Sequence, residues 1–214
     1  MPRFSVLTPT RDRPEWIPRC ISSMQAQTFS DWEQIVYDNG TESVRELMPN
    51  DSRVRYVRGP AAGPADAFQK ALDLAAGDII HPFSDDDLLV LDALEIVDRE
   101  IGDAEWANAL TTFENLDGQR QFLLGGQLDL EALKRDYYLG GAIYWKRSLT
   151  DRVGGFSLAH DGAADYDLYL RFAKAAMPKF IPRVLYRYTD HPGTDSHVRS
   201  GNQMAVTSRI KAAA

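Results

Sequence analysis

Short apolar runs alternate along this chain with stretches in which apolar residues recur every three to four positions. Phe4-Ser5-Val6-Leu7 reads as a strand, and Trp16, Ile17, Cys20, Ile21 and Met24 then share one helical stripe. Trp32-Glu33-Gln34-Ile35-Val36-Tyr37 reads as a second strand and Val54-Arg55-Tyr56-Val57 as a third. Pro64 suits a first helical turn, Phe68, Ala71, Leu72 and Ala75 share a face, and Gly77 suits a left-handed cap, which predicts a helix over 64–76. The run Asp78-Ile79-Ile80-His81-Pro82-Phe83 follows as a strand. Strand, helix, strand, helix, strand is the pattern of a mixed, mainly parallel α/β sheet, Rossmann-like, with helices on both faces. Such sheets bind ligands at the carboxyl ends of their strands, where Thr8, Asp38 and Asp85 all fall.

The second half has a different texture. A helix is expected over 91–101. Ala107 to Phe113 and Gln121 to Leu124 flank Asp117-Gly118, a hairpin-turn dipeptide. Gly140-Gly141 precedes a strand at Ala142-Ile143-Tyr144-Trp145. Gly154-Gly155-Phe156 ends a short helix, and Asp165 is placed to cap the next. No internal repeat interrupts the pattern. We expect one domain over 1–214, with a nucleotide-binding half at 1–90 and an acceptor-binding, catalytic half at 91–214.

Composition narrows the partners. At 214 residues, 44% hydrophobic and 26% charged, the chain is ordinary for a globular domain. The 24 Lys+Arg stand against 31 Asp+Glu, a net charge of -7, with no basic block, so nucleic acid is excluded as a natural partner. The lone Cys20 rules out an internal disulfide and fits a small core residue. The first residues enter a strand at once and no run is long enough to span a bilayer, so a cytoplasmic protein without leader or transmembrane segment is expected. Peripheral membrane contact stays open.

Asp85-Asp86-Asp87 is the candidate chemistry. Adjacent carboxylates repel and are costly to desolvate, so a run of them at the end of a buried strand points to a cation. All-oxygen ligands favour Mg2+ or Mn2+, which commonly bridge to substrate phosphates. The competing reading is a solvated acidic turn that caps the next helix. Alternation along an extended segment pairs Asp85 with Asp87, whereas adjacency pairs Asp85 with Asp86.

In chain order come Ser5-Val6-Leu7-Thr8-Pro9-Thr10-Arg11, Gln27-Thr28-Phe29-Ser30-Asp31-Trp32-Glu33 and Asp38-Asn39-Gly40-Thr41. Gly63 to Gly77, the aspartate run, Gly154-Gly155-Phe156 and Ala164-Asp165-Tyr166-Asp167-Leu168-Tyr169-Leu170-Arg171 follow. In this order and over this length the chain resembles the family 2 glycosyltransferases. The resemblance implies the A-type glycosyltransferase fold and inverting transfer of a sugar from a nucleotide diphosphate donor, here a UDP-sugar. The acceptor implied is a hydroxyl of a sugar, a lipid-linked compound or a small molecule, in glycan, glycolipid or natural-product assembly. Carried over residue by residue, it puts the donor against Thr8, Pro9, Thr10, Arg11, Asp38, Gly63, Asp85 and Asp86. It puts Mn2+ or Mg2+ on Asp86, Asp87 and His191, with Asp86 as main ligand, and makes Asp165 the base. The chain departs from the usual pattern at Tyr37-Asp38, Ala67-Phe68-Gln69 and Ala164-Asp165, where relatives often carry two acids, Ala-Arg-Asn and Glu-Asp.

Tyr186 to His197 resembles the family tail, in which a histidine approaches the metal or the diphosphate. Arg187 is expected to face phosphates or to pair with a surface acid. Trp106, Trp145, Tyr137, Tyr138 and Tyr144 are candidates to stack on an acceptor sugar, although aromatics in this number usually fill a core. Two other classes remain: a sugar-nucleotide pyrophosphorylase, against which the absence of glycine from Thr8 to Pro14 counts, and an inactive nucleotide-sugar-binding homologue, against which Asp86 and Asp165 count.

Overall fold

The computed structural model describes residues 1–194 and 200–213. Its first half supplies β1 (Phe4–Thr10), α1 (Ile17–Gln25), β2 (Trp32–Asp38), β3 (Val54–Arg58), α2 (Pro64–Leu74), β4 (Ile79–Pro82) and the short β5 (Leu88–Leu89). Then come α3 (Ala93–Ile101), β6 (Trp106–Glu114), β7 (Arg120–Leu124), α4 (Leu130–Arg135), β8 (Ile143–Lys146), α5 (Arg147–Val153), α6 (Ala164–Ala175), β9 (Lys179–Thr189) and α7 (Ser200–Ala213). The nine strands form one sheet in the order β3-β2-β1-β4-β8-β6-β9-β5, with β7 paired to β6. β1 to β4, β6 and β9 run one way and β5, β7 and β8 the other, which is the mixed, mainly parallel sheet expected.

β1 is central, and its residues are buried on both faces. Leu7 belongs to the cluster that also takes in Ala71 of α2 and Phe172 of α6, whereas Phe4 and Val6 pack with Cys20 of α1 and Leu94 of α3. Helices therefore cover both faces. Apolar spacing accounts for this directly: Ile17, Cys20, Ile21 and Met24 are the buried side of α1.

Helix α2 ends at Leu74, short of the expected boundary, and Ala75 leaves it in extended conformation. Gly77 serves another purpose. A Cβ there would lie 2.7 Å from the backbone of Phe4 and Ser5, so glycine lets the chain pass against β1 before it enters β4. The Asp117-Gly118 turn joins β6 to β7, with Gly118 at φ 73°. Trp106, Tyr144 and Trp145 are fully buried, which removes them from the candidate acceptor platform. No helix among the described residues is long and apolar enough to cross a membrane.

Candidate active site

A cleft of about 750 Å³ opens where β1 and β4 end. Pro9, Thr10, Arg11 and Arg13 enter it from the end of β1 and the loop beyond. Asp12 in that loop adopts φ 54° and accepts the Thr41 N–H at 2.6 Å, which ties the loop after β1 to the loop after β2. Gly63, at the start of α2, faces the cleft too. A Cβ there would meet the Asp161 carboxylate at 2.6 Å, and that carboxylate accepts the Ala65 N–H at 3.0 Å.

The three aspartates divide by direction. Asp85 and Asp86 line the cleft and are 3% and 4% exposed. Thr10 donates its hydroxyl to Asp85 at 2.6 Å, and one Arg13 nitrogen reaches Asp85 at 3.2 Å and Asp86 at 2.8 Å. The second Arg13 nitrogen donates to the Gly193 carbonyl at 2.7 Å. Burial, then the neighbouring Asp86 charge, pushes Asp85 up to about 7 despite Arg13 and Thr10. The acidic pair thus has more buried negative charge than the guanidinium offsets.

Asp87 points the other way. Its carboxylate accepts the Tyr186 hydroxyl at 2.6 Å and the Thr189 N–H at 2.7 Å, so both oxygens are committed to β9. That corrects the expected metal set: Asp87 fastens β9 to the end of the β4 segment, and the cleft-facing pair is Asp85 with Asp86.

His191 lies where the aspartates meet the tail. Its ring stacks on Trp16 with centroids 4.1 Å apart, and Nε2 lies 3.2 Å from Asp86. Nδ1 accepts the Gly193 N–H at 3.1 Å, so the ring proton sits on Nε2 and is donated to Asp86. His197 lies outside the described residues. Arg187 grips Glu114 at 2.6 and 2.9 Å, which is the surface-acid alternative.

Across the cleft stands Asp165. It is not the cap of α6; the cap position is Ala163 and Asp165 lies in the first turn. Asp165 is exposed, but to the cleft, and protein crowds its carboxylate closely enough to raise its pKa. The backbone N–H groups of Asp165 and Tyr166 and the Tyr137 hydroxyl oppose that rise without cancelling it. A carboxylate at a helix N-terminus, raised yet solvent-reachable, is suited to accept a proton.

Two expected donor residues are elsewhere. Thr8 is fully buried and accepts from Gln34 at 3.0 Å; it shares a face with Thr10 but lies one pleat repeat further inside β1, short of the cleft. Asp38 is buried and is used by the Gly40 N–H at 2.9 Å, the Val44 N–H at 3.1 Å and the Tyr56 hydroxyl at 2.6 Å. It shapes the loop after β2 and does not line the cleft. Tyr137, a candidate for the acceptor platform, does line the cleft. Arg13 is the site residue that sequence reasoning missed; the Arg-x-Arg-Pro spacing after the first strand was the available signal for it.

The family model described as "Glycosyl transferase family 2" matches residues 5–166. The chain is 26% identical over 213 residues to a hyaluronan synthase of Pasteurella multocida, covering 95% of this chain and 22% of that protein. It covers 21% of a Pasteurella multocida chondroitin synthase, so it spans about a fifth of the length of these relatives. A PGL/p-HBAD biosynthesis glycosyltransferase of Mycobacterium tuberculosis is 28% identical over 208 residues, 92% of this chain and 80% of that protein. Among solved structures, S. aureus TarS 1-349 in complex with UDP-GlcNAc superposes with TM-score 0.76 at 18% identity, over 97% of this chain and 65% of that one. The mannosyltransferase PcManGT from Pyrobaculum calidifontis, in complex with GDP-Man and Mn2+, gives TM-score 0.65 at 19% identity over 87% and 56%. At such identities the structural likeness shows the fold, that of the A-type glycosyltransferases.

Proposed function

The chain belongs to glycosyl transferase family 2, and from that premise we propose that it is a metal-dependent, inverting enzyme that moves a sugar from a UDP-sugar to an acceptor hydroxyl. The observation that carries the reading is that the acidic pair Asp85 and Asp86 and the isolated carboxylate Asp165 line one cleft. One end suits an anionic donor bound through a cation; the other suits a hydroxyl that must lose its proton.

The residues fit a divalent ion on the ground of charge. Asp85 is driven to about 7 by burial and by Asp86, so the pair lacks positive charge beyond what Arg13 provides. Asp85 and Asp86 would hold Mn2+ or Mg2+ through carboxylate oxygens, the donor type both ions favour, and His191 would join them only by giving up the Nε2 proton it donates to Asp86. Among the described residues no group of three or more His, Cys, Asp or Glu is placed to hold a metal, so phosphate and water would have to complete the ion's shell. When bound, the ion supplies charge neutralisation at the departing diphosphate.

The chain's own residues do the rest. Arg13 holds Asp85 and Asp86 together, and Thr10 fixes Asp85. Asp165 takes the acceptor proton as the oxygen attacks the anomeric carbon, and the N–H groups of the first turn of α6 keep its carboxylate oriented. With one base opposite the leaving group, a single displacement inverts the anomeric centre. UDP is favoured as carrier because TarS, among the structural neighbours, binds UDP-GlcNAc and UDP. The named relatives point to glycan or glycolipid assembly. The test is a panel of UDP- and GDP-sugars with Mn2+, read as nucleoside diphosphate released. Release from a UDP-sugar supports the reading; no release from any donor contradicts it.

A further inference from the structure

One wall of the cleft comes from beyond the stretch the family model matches, which stops at residue 166. Helix α7 buries Val206 and Ile210 in the same core cluster as Leu133, Tyr166 and Tyr169, and Lys211 reaches Asp136 at 3.5 Å. Asp136 adjoins Tyr137, whose hydroxyl reaches Asp165, so the Lys211 contact places α7 at the Asp165 end. On that helix Gln203 and Thr207, one turn apart, line the cleft. The same cleft is lined by the aromatic rings of Phe68, Tyr137, Phe156 and Tyr169. The charged side chains described along the whole cleft are Arg11, Arg13, Asp85, Asp86 and Asp165, and both cations stand at the end of β1.

Taking the transferase reading above as its basis, we infer that Gln203 and Thr207 are acceptor-specificity residues and that the acceptor they select is an uncharged sugar. A pyranose offers an apolar ring face and a rim of hydroxyls. The aromatic wall matches the face, and an amide with a hydroxyl one turn away matches the rim. An acidic sugar would bring negative charge beside Asp165 with no cation at that end among the described residues to receive it.

The experiment is glycan-array binding of the labelled protein with UDP and Mn2+, on an array carrying neutral, uronic-acid, sialylated and sulfated glycans. Neutral glycans should bind. The Gln203→Ala, Thr207→Val double variant should lose about tenfold or more, taking roughly three- to tenfold per lost hydrogen bond. Gln203→Arg should shift binding toward uronic-acid glycans. Preference of the unaltered protein for acidic glycans, no bound glycan at all, or undiminished binding by the double variant would each overturn the inference. UDP affinity measured on the same samples separates the two readings: if the unaltered protein binds no UDP, the UDP-sugar reading fails and not the acceptor assignment alone.

Discussion

Asp87→Ala separates a structural aspartate from its functional neighbours. The side chain is 1% exposed and accepts two hydrogen bonds from β9, the Tyr186 hydroxyl at 2.6 Å and the Thr189 N–H at 2.7 Å. Truncation strands two buried donors, each costing about 1–3 kcal/mol. Part of that returns, because the carboxylate removed is one that burial and Asp86 already push well above its ordinary range. A net loss of about 2–4 kcal/mol remains, which for a domain of this size lowers Tm by about 5–15 °C. Asp86→Ala should behave in the opposite sense. Arg13 keeps Asp85 and the Gly193 carbonyl as partners, and the one donor stranded, the His191 Nε2–H, is offset by relief of the repulsion that Asp86 exerts on Asp85 and Asp87, so the fold loses less than in Asp87→Ala, while any gain in UDP affinity from Mn2+ disappears. Thermal melts of both variants beside calorimetry of UDP with and without Mn2+ make the comparison. An Asp87→Ala protein that melts within about 2 °C of the unaltered one and loses the ion-dependent affinity would refute the assignment.

Asp165→Asn should leave Tm nearly unchanged, since the cap position is Ala163, while transfer falls by about two to four orders of magnitude in initial-rate assays. Because its carboxyl is raised in the fold, kcat/KM of the unaltered enzyme should climb with pH through a midpoint above the ordinary carboxylate range; a limb near pH 4 would count against it. His81 is buried, stacked on Tyr144 at 4.3 Å and lowered to about 4 from 6.5, so its neutral form belongs to the folded state. Its stabilising contribution is full above pH 6.5 and lost as pH falls toward 4, about 3 kcal/mol in all; urea titrations should show that loss, and His81→Leu should flatten it. Mn2+ should strengthen UDP binding to the unaltered protein at matched ionic strength, and equal affinity with and without the ion would remove the metal from the account.

Periodicity made β1, α1, α2 and the β6–β7 hairpin legible, because in each the apolar spacing or the turn dipeptide is local. It failed where a partner far along the chain decides. In the aspartate run, spacing alone leaves two pairings open, and the choice is made by Tyr186 and Thr189, about a hundred residues away, which claim Asp87. Strand β9 was hidden by Pro182 and Arg183. The structure absorbs them in a register shift against β6, where Ala109 pairs Ile181 and Leu110 pairs Val184. Helix α4 was missed although Asp129 carries a cap signal, its carboxylate accepting the Ala132 N–H at 2.9 Å; helix α7 was missed because its buried stripe is little more than Val206 and Ile210. Thr8 and Asp38 show the same lesson at the site. The cleft does open at strand ends, but Thr8 lies too far inside β1 to reach it and a loop of backbone N–H groups claims Asp38.

The most direct test of the central claim needs no acceptor. With Mn2+ and an alpha-linked UDP-sugar, water replaces the acceptor hydroxyl in slow hydrolysis, and 1H NMR can record which anomer of the free sugar forms before mutarotation scrambles it. Single displacement assisted by Asp165 predicts that the beta anomer appears first and that Asp165→Asn suppresses its formation. First appearance of the alpha anomer, or an unchanged rate in the variant, would contradict Asp165 as the inverting base.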